Sequence, residues 1–350
     1  MKKIALALFA LVTLQLQAQT LTPEEQSAQI AALTQQVNEL QAQTNKWEQV
    51  VAALPKISGY VQGQYANAED LSTFRMRRVR VSLSGQITPK IDYKIQPELL
   101  SFKLLDAYFD YKPFEQFKVK VGQFKVPFTI ENPDYSPLRM MMIDYPMVIQ
   151  RLVGTSEKIG STTLKTSDRG TGFNLHGALC KGRIAYDFAL LNGTDLNIVD
   201  NNKSKDVVGR LTLQLVEGWL LSGSYYWGEY GEEYYTRKRW SVGSAYDKGA
   251  FVVRGEYVGG KSGLEYGEID SHGWYALAGV RFCKNWAVAA RCENFQEKAT
   301  EFYEKFDQTN YTLGVSWKPL KYLRLQANYT YEDQTVGHRN LAIVQVTTSF

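Results

Sequence analysis

The ten residues YLRLQANYTY, positions 322–331, alternate between two kinds of side chain. In an extended chain, one face would carry leucine, alanine and tyrosine, and the other mostly arginine, glutamine, asparagine and threonine. Residues 207–215, VVGRLTLQL, repeat the pattern, with Leu211 and Leu213 on the opposite face from Arg210 and Thr212. The pattern predicts strands of a sheet that meets an apolar environment on one side and water on the other.

Fifteen further stretches also alternate, mostly less regularly than residues 322–331. The sixteen stretches together extend from Ile57 to Phe350. The sixteen predicted strands lie at 57–66, 74–88, 91–101, 104–112, 117–124, 170–180, 183–192, 205–215, 218–228, 237–247, 250–259, 272–282, 286–296, 307–318, 321–332 and 341–350. Short turns, such as Lys181-Gly182, alternate with longer polar connections, such as 192–204 and 259–271. This alternation predicts an up-and-down barrel whose two ends face different compartments.

Strand length separates a membrane barrel from a soluble β protein. Eleven residues tilted by about 40° rise roughly 28 Å, which matches an apolar band of about 25 Å. Strands of soluble sheets average about 5–6 residues. A soluble propeller or sandwich is the alternative, but the sequence shows no blade repeat. The fold class predicted is therefore an all-β transmembrane barrel of sixteen antiparallel strands, a size that leaves an aqueous channel.

The third long connection, residues 125–169, far exceeds the others in length. It contains the apolar residues Met140, Met141, Met142, Val148 and Ile149, which need a buried location. We hypothesise that it folds into the lumen and constricts the pore, since structureless segments of this length are usually functional. The alternative is a surface lid outside the barrel.

The N-terminal residues 1–18 have the pattern of a secretory signal peptide. Lys2 and Lys3 precede an apolar run, and Ala18 supplies a small residue at the cleavage position. A buried helix is the alternative. Cleavage would lower the net charge from +4 to +2.

Residues 19–55 predict an α-helical coiled coil that ends at Pro55. Apolar residues recur at alternating spacings of three and four, which is the narrow seam of a coiled coil. The seam residues are Ile30, Leu33, Val37, Leu40, Thr44, Trp47, Val51 and Leu54. In each heptad, a β-branched residue at the first seam position and leucine at the second favour a dimer. A single amphipathic helix lying on its own domain is the alternative.

Composition excludes several other classes. The 45 aromatic residues argue against disorder, and the longest near-apolar run is too short for a membrane helix. The nearly balanced charge argues against nucleic acid as a partner. Cys180, Cys283 and Cys292 fit neither a disulfide scaffold nor a zinc site, and are most simply small wall residues. The three histidines lack metal-ligand spacing, so we predict no cofactor, no metal and no enzymatic activity.

Three motifs in order resemble the phosphate-selective porin O and P family. They are FRMRRVRVSLSG at 74–85, LDAYFDY at 105–111 and VGQFKVPF at 121–128. The terminal Phe350 resembles the signal read by outer-membrane assembly machinery. The resemblance implies a trimeric sixteen-stranded barrel in the bacterial outer membrane with its coiled coil in the periplasm, and so overrules the dimer. In this family a ladder of arginines gives anion selectivity, and only Arg78 and Arg80 are carried over from the motif.

Alternation assigns charged side chains to the lumen. The predicted pore-lining cations are Arg78, Arg80, Lys94, Lys118, Lys120, Arg183, Arg210, Arg239, Arg254, Arg281, Arg291 and Arg324. The predicted pore-lining anions are Asp92, Glu98, Asp106, Asp110, Asp187, Glu256 and Glu293. The basic surplus predicts a mild preference for anions. The alternative is a set of lumenal ion pairs that stiffens the wall.

The sequence thus predicts an outer-membrane porin for passive diffusion of small hydrophilic solutes, anionic or neutral. One alternative is a sugar channel in which Tyr225, Tyr226, Tyr230, Tyr234 and Tyr235 provide stacking surfaces. Another is a structural envelope protein whose plugged barrel is tethered to the cell wall by the coiled coil.

Overall fold

The computed structural model describes residues 22–153, 157–159, 162–164, 168–194, 196–200, 202–298, 300–302, 304–335 and 337–350. The predicted signal peptide lies outside these residues. The chain divides into two units, one ending at Leu54 and the other running from Pro55 to Phe350. Within the described residues, no helix combines the length and the apolar character that crossing a membrane requires.

The described part of the first unit is a single helix, α1 (Pro23–Ala53). It ends just before Pro55, whose ring cannot continue a helix. The seam residues Ile30, Leu33, Val37 and Leu40 are all exposed. The side chains of Thr44, Trp47 and Val51 lie outside the described residues. The helix is therefore present over most of 19–55, and its pairing into a coiled coil stays a prediction.

The second unit is a closed barrel of sixteen antiparallel strands, which confirms the predicted fold class. Its strands are β1 (Lys56–Ala68), β2 (Leu71–Thr88), β3 (Ile91–Glu98), β4 (Lys103–Tyr111), β5 (Lys118–Lys125), β8 (Arg169–Leu179), β9 (Ile184–Leu191), β10 (Asp206–Val216), β11 (Trp219–Tyr230), β12 (Tyr235–Lys248), β13 (Phe251–Leu264), β14 (Gly267–Phe282), β15 (Trp286–Glu297), β16 (Phe306–Leu320), β17 (Leu323–Gln334) and β18 (Gly337–Ser349). Strand β1 pairs with β18, from Tyr60 opposite Ser349 to Ala68 opposite Leu341, and so closes the barrel.

The strands run between a turn end and a loop end. The turn end holds the short connections, including Cys180-Lys181 and Cys283-Lys284, where all four residues have a positive φ. At the loop end, two connections predicted as long polar loops are instead strands joined by tight turns. Leu264 pairs with Gly267, and Gln334 pairs with Gly337. The sheet therefore continues beyond the apolar band, where both of its faces carry polar residues.

Residues 126–168, hereafter the inner segment, connect β5 to β8. These two strands pair directly, from Lys118 opposite His176 to Lys125 opposite Arg169, so the inner segment is an insertion in the sheet. It contains helices α2 (Glu131–Asp134) and α3 (Met147–Val153) and a small hairpin of β6 (Glu157–Ile159) and β7 (Thr162–Leu164).

The outer face of the barrel is apolar and carries aromatic rings near both strand ends. Trp219, Trp286 and Trp317 lie near the turn end, and the rings of Trp286 and Trp317 stack with centroids 5.4 Å apart. Trp240 lies six residues before Tyr246 in β12 and is therefore nearer the loop end. Between such rings, exposed leucine and valine side chains form the surface that suits lipid.

Candidate functional site

Residues 126–153 of the inner segment lie inside the barrel. Asp134 pairs with Arg210 on β10, and Asp144 pairs with Arg77 on β2, at 3.0 Å. Because β2 and β10 belong to well-separated parts of the wall, a segment that contacts both must cross the interior. The side chains of Ile130, Met142 and Val148 are almost completely buried there.

The neck of the inner segment is closed by backbone hydrogen bonds. The Val126 amide donates to the Asp168 carbonyl at 3.1 Å. The Asn132 side-chain amide donates to the carbonyls of both residues, at 2.8 and 3.1 Å. One buried asparagine therefore fixes where the inner segment leaves the wall and where it returns.

Five of the predicted pore-lining arginines hold the inner segment. Arg324 donates to the Met140 carbonyl at 2.9 Å, and Arg291 donates to the Asp144 carbonyl at 2.8 Å. Arg239 donates to the Leu152 carbonyl. Arg254 lies 3.2 Å from Glu131, and Arg210 pairs with Asp134 as described above. These arginines are buried, and we call the inner faces of β10–β17 that carry them the clamping wall.

Two predicted anions of the clamping wall bind backbone amides of the inner segment. Glu256 accepts hydrogen bonds from the amides of Ile130 and Glu131, at 2.5 and 3.2 Å. Glu293 accepts one from the Met147 amide at 2.7 Å. Carboxylate acceptors are thus used at chain positions where no helical partner satisfies the amides.

The opposite side of the interior, the inner faces of β2–β5, is the open wall. Here Lys94 lies 2.5 Å from Asp106, Arg80 lies 2.8 Å from Glu98, and Lys120 lies 4.0 Å from Asp110. The side chains of Lys94 and Lys120 are 30% and 22% exposed, whereas that of Arg254 is 2% exposed. The open wall therefore offers cations that are paired yet partly accessible from the lumen.

Arg78, one of the two residues carried over from the family motif, is buried. It is 6% exposed and donates to the Gln62 side-chain oxygen at 2.9 Å. Among the described residues it has no carboxylate partner. Its neighbour Arg80 is held by Glu98, so neither arginine is a freely exposed rung of a ladder.

The remaining predicted charges lie elsewhere on the inner face or beyond it. Arg183 is exposed in the turn before β9, and Arg281 makes two hydrogen bonds with Asp247 near the turn end, at 2.7 and 3.0 Å. Asp92 pairs with Lys112, and Asp187 accepts a hydrogen bond from Asn174 at 2.8 Å. Lys118 is half-buried at the start of β5.

Two basic residues of the interior were missed because of a β-bulge. Gln62 pairs with Arg78 but the next residue, Gly63, pairs with Met76, so Arg77 has no partner across the ladder. The bulge reverses the alternation, and Arg75 and Arg77 also reach inward, to Gln64 and Asp144. Phe74 and Met76 were the available signal, because strict alternation would have placed these apolar side chains in the lumen.

Two large cavities border the described part of the inner segment. The turn-end cavity has a volume of about 860 Å³ and is bordered in part by residues 133–141 of the inner segment. Its charged lining consists of five basic residues and two acidic ones, Arg139, Arg281, Lys284, Lys318, Arg324, Asp134 and Asp247. Its lining thus carries a basic surplus of three.

The second cavity, the loop-end cavity, has a volume of about 380 Å³ and is bordered in part by residues 144–151 of the inner segment. Its charged lining is balanced, with Arg151, Arg291, Arg339, Asp144, Glu293 and Glu332. Amide side chains, including Gln150, Gln308 and Asn310, make up much of the rest. The interior is therefore asymmetric in charge between its two ends.

The tyrosines considered for a sugar channel do not form one stacking surface. Tyr225 is exposed on the outer face, whereas Tyr226 is buried against Phe128 and Tyr230 is buried and donates to the Gly263 carbonyl. Tyr234 lies in an exposed connection. Alternation separates Tyr225 from Tyr226, whereas the rings of Tyr230 and Tyr235 pack against each other with centroids 5.9 Å apart.

Cysteines and histidines occupy ordinary positions. Cys180 and Cys283 are exposed in turns, which corrects the expectation that they are wall residues, and only Cys292 lies in a strand. His176 lies 2.9 Å from Asp110. No cluster of three or more His, Cys, Asp or Glu suited to a metal is found in the part of the chain that the structure describes.

The predicted family resemblance is confirmed over residues 58–178, which match the model of the family described as Phosphate-selective porin O and P. This stretch runs from β1 through most of β8 and includes the inner segment. No curated protein matches the chain at the level of sequence. The matched family is one of porins.

Solved structures with the same fold are outer-membrane porins and related channels. An anion-selective porin from Comamonas acidovorans is 13% identical with a TM-score of 0.64, covering 85% of this chain and 99% of its own. The in-vitro folded OmpT of Vibrio cholerae, in a trimer form, gives the same values. The outer membrane channel DcaP of Acinetobacter baumannii is 12% identical with a TM-score of 0.58, covering 85% and 97%. The fold is thus that of an outer-membrane porin.

Proposed function

We propose that the protein is an outer-membrane diffusion channel for small hydrophilic solutes with a mild preference for anions. The observation that carries the proposal is the basic surplus of the turn-end cavity, together with the accessible lysines of the open wall. A solute passing the inner segment along the open wall would meet Lys94 and Lys120 before or after that cavity. Cations along a path lower the free energy of an anion relative to a cation.

The preference is proposed as mild because most lumenal charges are compensated. Lys94 and Arg80 face a carboxylate each, and the loop-end cavity has a balanced lining. The proposed pathway differs from the arginine ladder implied by the family, since five of the predicted pore-lining arginines hold the inner segment instead. The residues assigned to solute contact are therefore Lys94, Lys120, Lys284 and Lys318.

The inner segment is proposed to be the pore constriction. It crosses the interior and borders both cavities, so it narrows the lumen and directs solutes toward the open wall. Deletion of residues 136–152 should raise the single-channel conductance by about twofold or more, because a barrel of this size otherwise leaves a wide channel. Unchanged conductance in a correctly inserted barrel would contradict this part of the proposal.

The function is tested with the purified oligomer in planar lipid bilayers. We expect discrete conductance steps and, in a salt gradient, a zero-current potential of the sign given by anion preference. A cation-selective potential would refute the anion preference alone. Absence of conductance would refute the channel and favour a structural envelope protein with a plugged barrel.

A homotrimer is proposed, with the short strands as the subunit contact. Strands β3, β5 and β9 have eight residues each, which at a tilt of about 40° rise only about 20 Å, less than the apolar band of about 25 Å. Phe109 and Phe102 are exposed on or beside this low part of the wall. A neighbouring subunit would cover the outer face of these short strands, which is too low to match the apolar band of the bilayer. Phe109→Asp should convert trimers to monomers in native electrophoresis, whereas the matched outer-face change Phe251→Asp, on the taller strand β13, should leave trimers intact.

The exposed seam of α1 is proposed to pair with the same helix of other subunits in the periplasm. Isolated helices are marginal in water, and pairing would bury the exposed apolar seam residues Ile30, Leu33 and Val37. Leu33→Asp combined with Leu40→Asp should lower the thermal stability of the oligomer while leaving the conductance of each pore unchanged. Loss of conductance in this variant would contradict an independent role for the helix.

A further inference from the structure

Glycines on the inner face of the clamping wall lie opposite apolar side chains of the inner segment. A Cβ atom placed on Gly279 of β14 would lie 2.6 Å from the Met141 side-chain methyl carbon. A Cβ atom on Gly314 of β16 would lie 2.7 Å from the Met142 sulfur. Both distances are shorter than a van der Waals contact. Each methionine therefore occupies the space that the Cβ atom of any residue other than glycine would need at that wall position.

We call the space beside each glycine that a methionine fills its hole. Both methionines are surrounded by apolar side chains, and Met141 also borders the turn-end cavity. Met141 and Met142 are both buried, and they belong to one apolar cluster with Ile149 and Phe128. The Gly279 hole is also bounded by the Ala289 Cβ atom, 3.1 Å from the Cβ position, and the Gly314 hole by the Asn328 amide at 2.8 Å. A larger residue at Gly279 would therefore displace the Met141 side chain from the wall, and one at Gly314 would displace the Met142 side chain or the Asn328 amide.

The backbone does not require glycine at these two positions. Gly279 and Gly314 lie in regular strands and are not among the glycines with positive φ. Glycine weakens a strand interior, since it brings no side chain to pack and loses more conformational freedom. The reason for glycine here lies in what faces it, which is a methionine of the inner segment.

Two further glycines also lie opposite side chains of the inner segment, but a Cβ atom at either position would first clash with neighbouring strands of the sheet. The Ile130 side chain lies 3.0 Å from a Cβ position on Gly243, and the Val148 side chain lies 3.0 Å from one on Gly273. At these sites the nearest atoms belong to the wall itself, at 2.3 and 2.5 Å. They support the pattern, and Gly279 and Gly314 provide the cleaner test.

We propose that Gly279 and Gly314 are positioning residues that set the width of the pore. Their holes accept Met141 and Met142 and so determine how deeply the inner segment sits against the clamping wall. The hydrogen bonds from Arg324 to Met140 and from Arg291 to Asp144 fix its path along the wall, and the holes fix its distance from it. The inference rests on the proposed channel function, because pore width has meaning only if solutes pass.

The test replaces each glycine with valine, a residue that suits strands. In Gly279→Val and Gly314→Val, the inner segment should shift away from the clamping wall and toward the open wall. We expect a change in single-channel conductance of about twofold and faster hydrogen exchange of the amides in residues 138–148. Gly209→Val is the matched control, because Gly209 lies on the outer face of β10 with no atom within 4 Å of its Cβ position.

Rescue separates positioning from general damage to the strand. Met141→Ala should restore wild-type exchange and conductance to Gly279→Val, because the smaller side chain leaves space for the valine. The same change should not restore Gly314→Val, whose hole holds Met142.

The outcomes distinguish this inference from the proposed function. Wild-type exchange in an inserted Gly279→Val barrel would overturn the inference, as would equal effects of Gly209→Val or failure of the matched rescue. If the wild-type protein shows no conductance, the channel proposal fails, while hydrogen exchange still decides whether the holes position the inner segment.

Discussion

The clamping wall and the open wall carry the same kinds of charged residue in different states. Arg254 and Arg324 on the clamping wall are buried and bind the inner segment, whereas Lys94 and Lys120 on the open wall are partly exposed to the lumen. Both sets point inward from alternating strand positions. The difference shows that an inward-facing cation lines a pore only when no other protein segment covers it.

The largest effect is expected from breaking the clamping wall at Arg254. Arg254→Met would leave the carboxylate of Glu131 buried without its cation, which typically costs about 3–5 kcal/mol. We expect a loss of that order in the free energy of unfolding, measured by urea denaturation in lipid vesicles. The double variant Arg254→Met with Glu131→Gln should regain much of it. A loss no larger than that of an exposed pair, such as one from Lys248→Met, would contradict the clamp.

A smaller effect is expected from the turn-end cavity. Lys284→Glu with Lys318→Glu would turn its basic surplus of three into an acidic surplus of one. The ratio of anion to cation permeability should fall by about two- to threefold, measured from zero-current potentials. Lys181→Glu is the control, because Lys181 occupies the equivalent position of another tight turn but does not line the cavity. Equal effects of both changes would locate selectivity elsewhere.

The smallest effect is expected from pH. Burial alone would raise the pKa of the Asp144 carboxyl, but the guanidiniums of Arg77 and Arg78 outweigh it and hold the pKa below the ordinary value of 3.8. A carboxyl with a lowered pKa stabilises the fold above its ordinary pKa and loses that contribution as the pH falls through the lowered value. The contact between Asp144 and Arg77 should therefore cause no change in conductance between about pH 5 and 8.

Asp144→Asn tests the same pair without acid. It should release one end of the contact with Arg77 and shift the zero-current potential slightly toward anions, measured at neutral pH. A shift toward cations would mean that Asp144 does not screen Arg77.

The sequence predicted the strands and their faces well because both follow from local alternation. All sixteen barrel strands were found, and Arg210, Glu256 and Arg324 lie on the inner face. The strand extensions at the loop end were missed because polar residues on both faces were interpreted as a loop. Such residues mark where a strand leaves the membrane, and the strand itself continues.

The roles of the inward-facing residues were less predictable. Which arginines hold the inner segment depends on where residues 126–168 fold, and that path is set by contacts distant in sequence, such as Asp144 with Arg77. The bulge at Arg77 was visible in the sequence, because strict alternation would put the apolar Phe74 and Met76 on the same face as Arg78 and Arg80. The methionine holes had no sequence signal, since a glycine within a strand equally marks a bulge, a bend or a close approach of another backbone.

The division between the two walls is tested most directly by zero-current potentials of two matched double variants. Lys94→Gln with Lys120→Gln neutralises the open wall, and Arg210→Gln with Arg239→Gln removes the same charge from clamping positions that border neither cavity. We expect the open-wall variant to lose most of its anion preference, and the clamping variant to keep it and to change conductance instead. Loss of anion preference in the clamping variant, with the open-wall variant unchanged, would contradict the division.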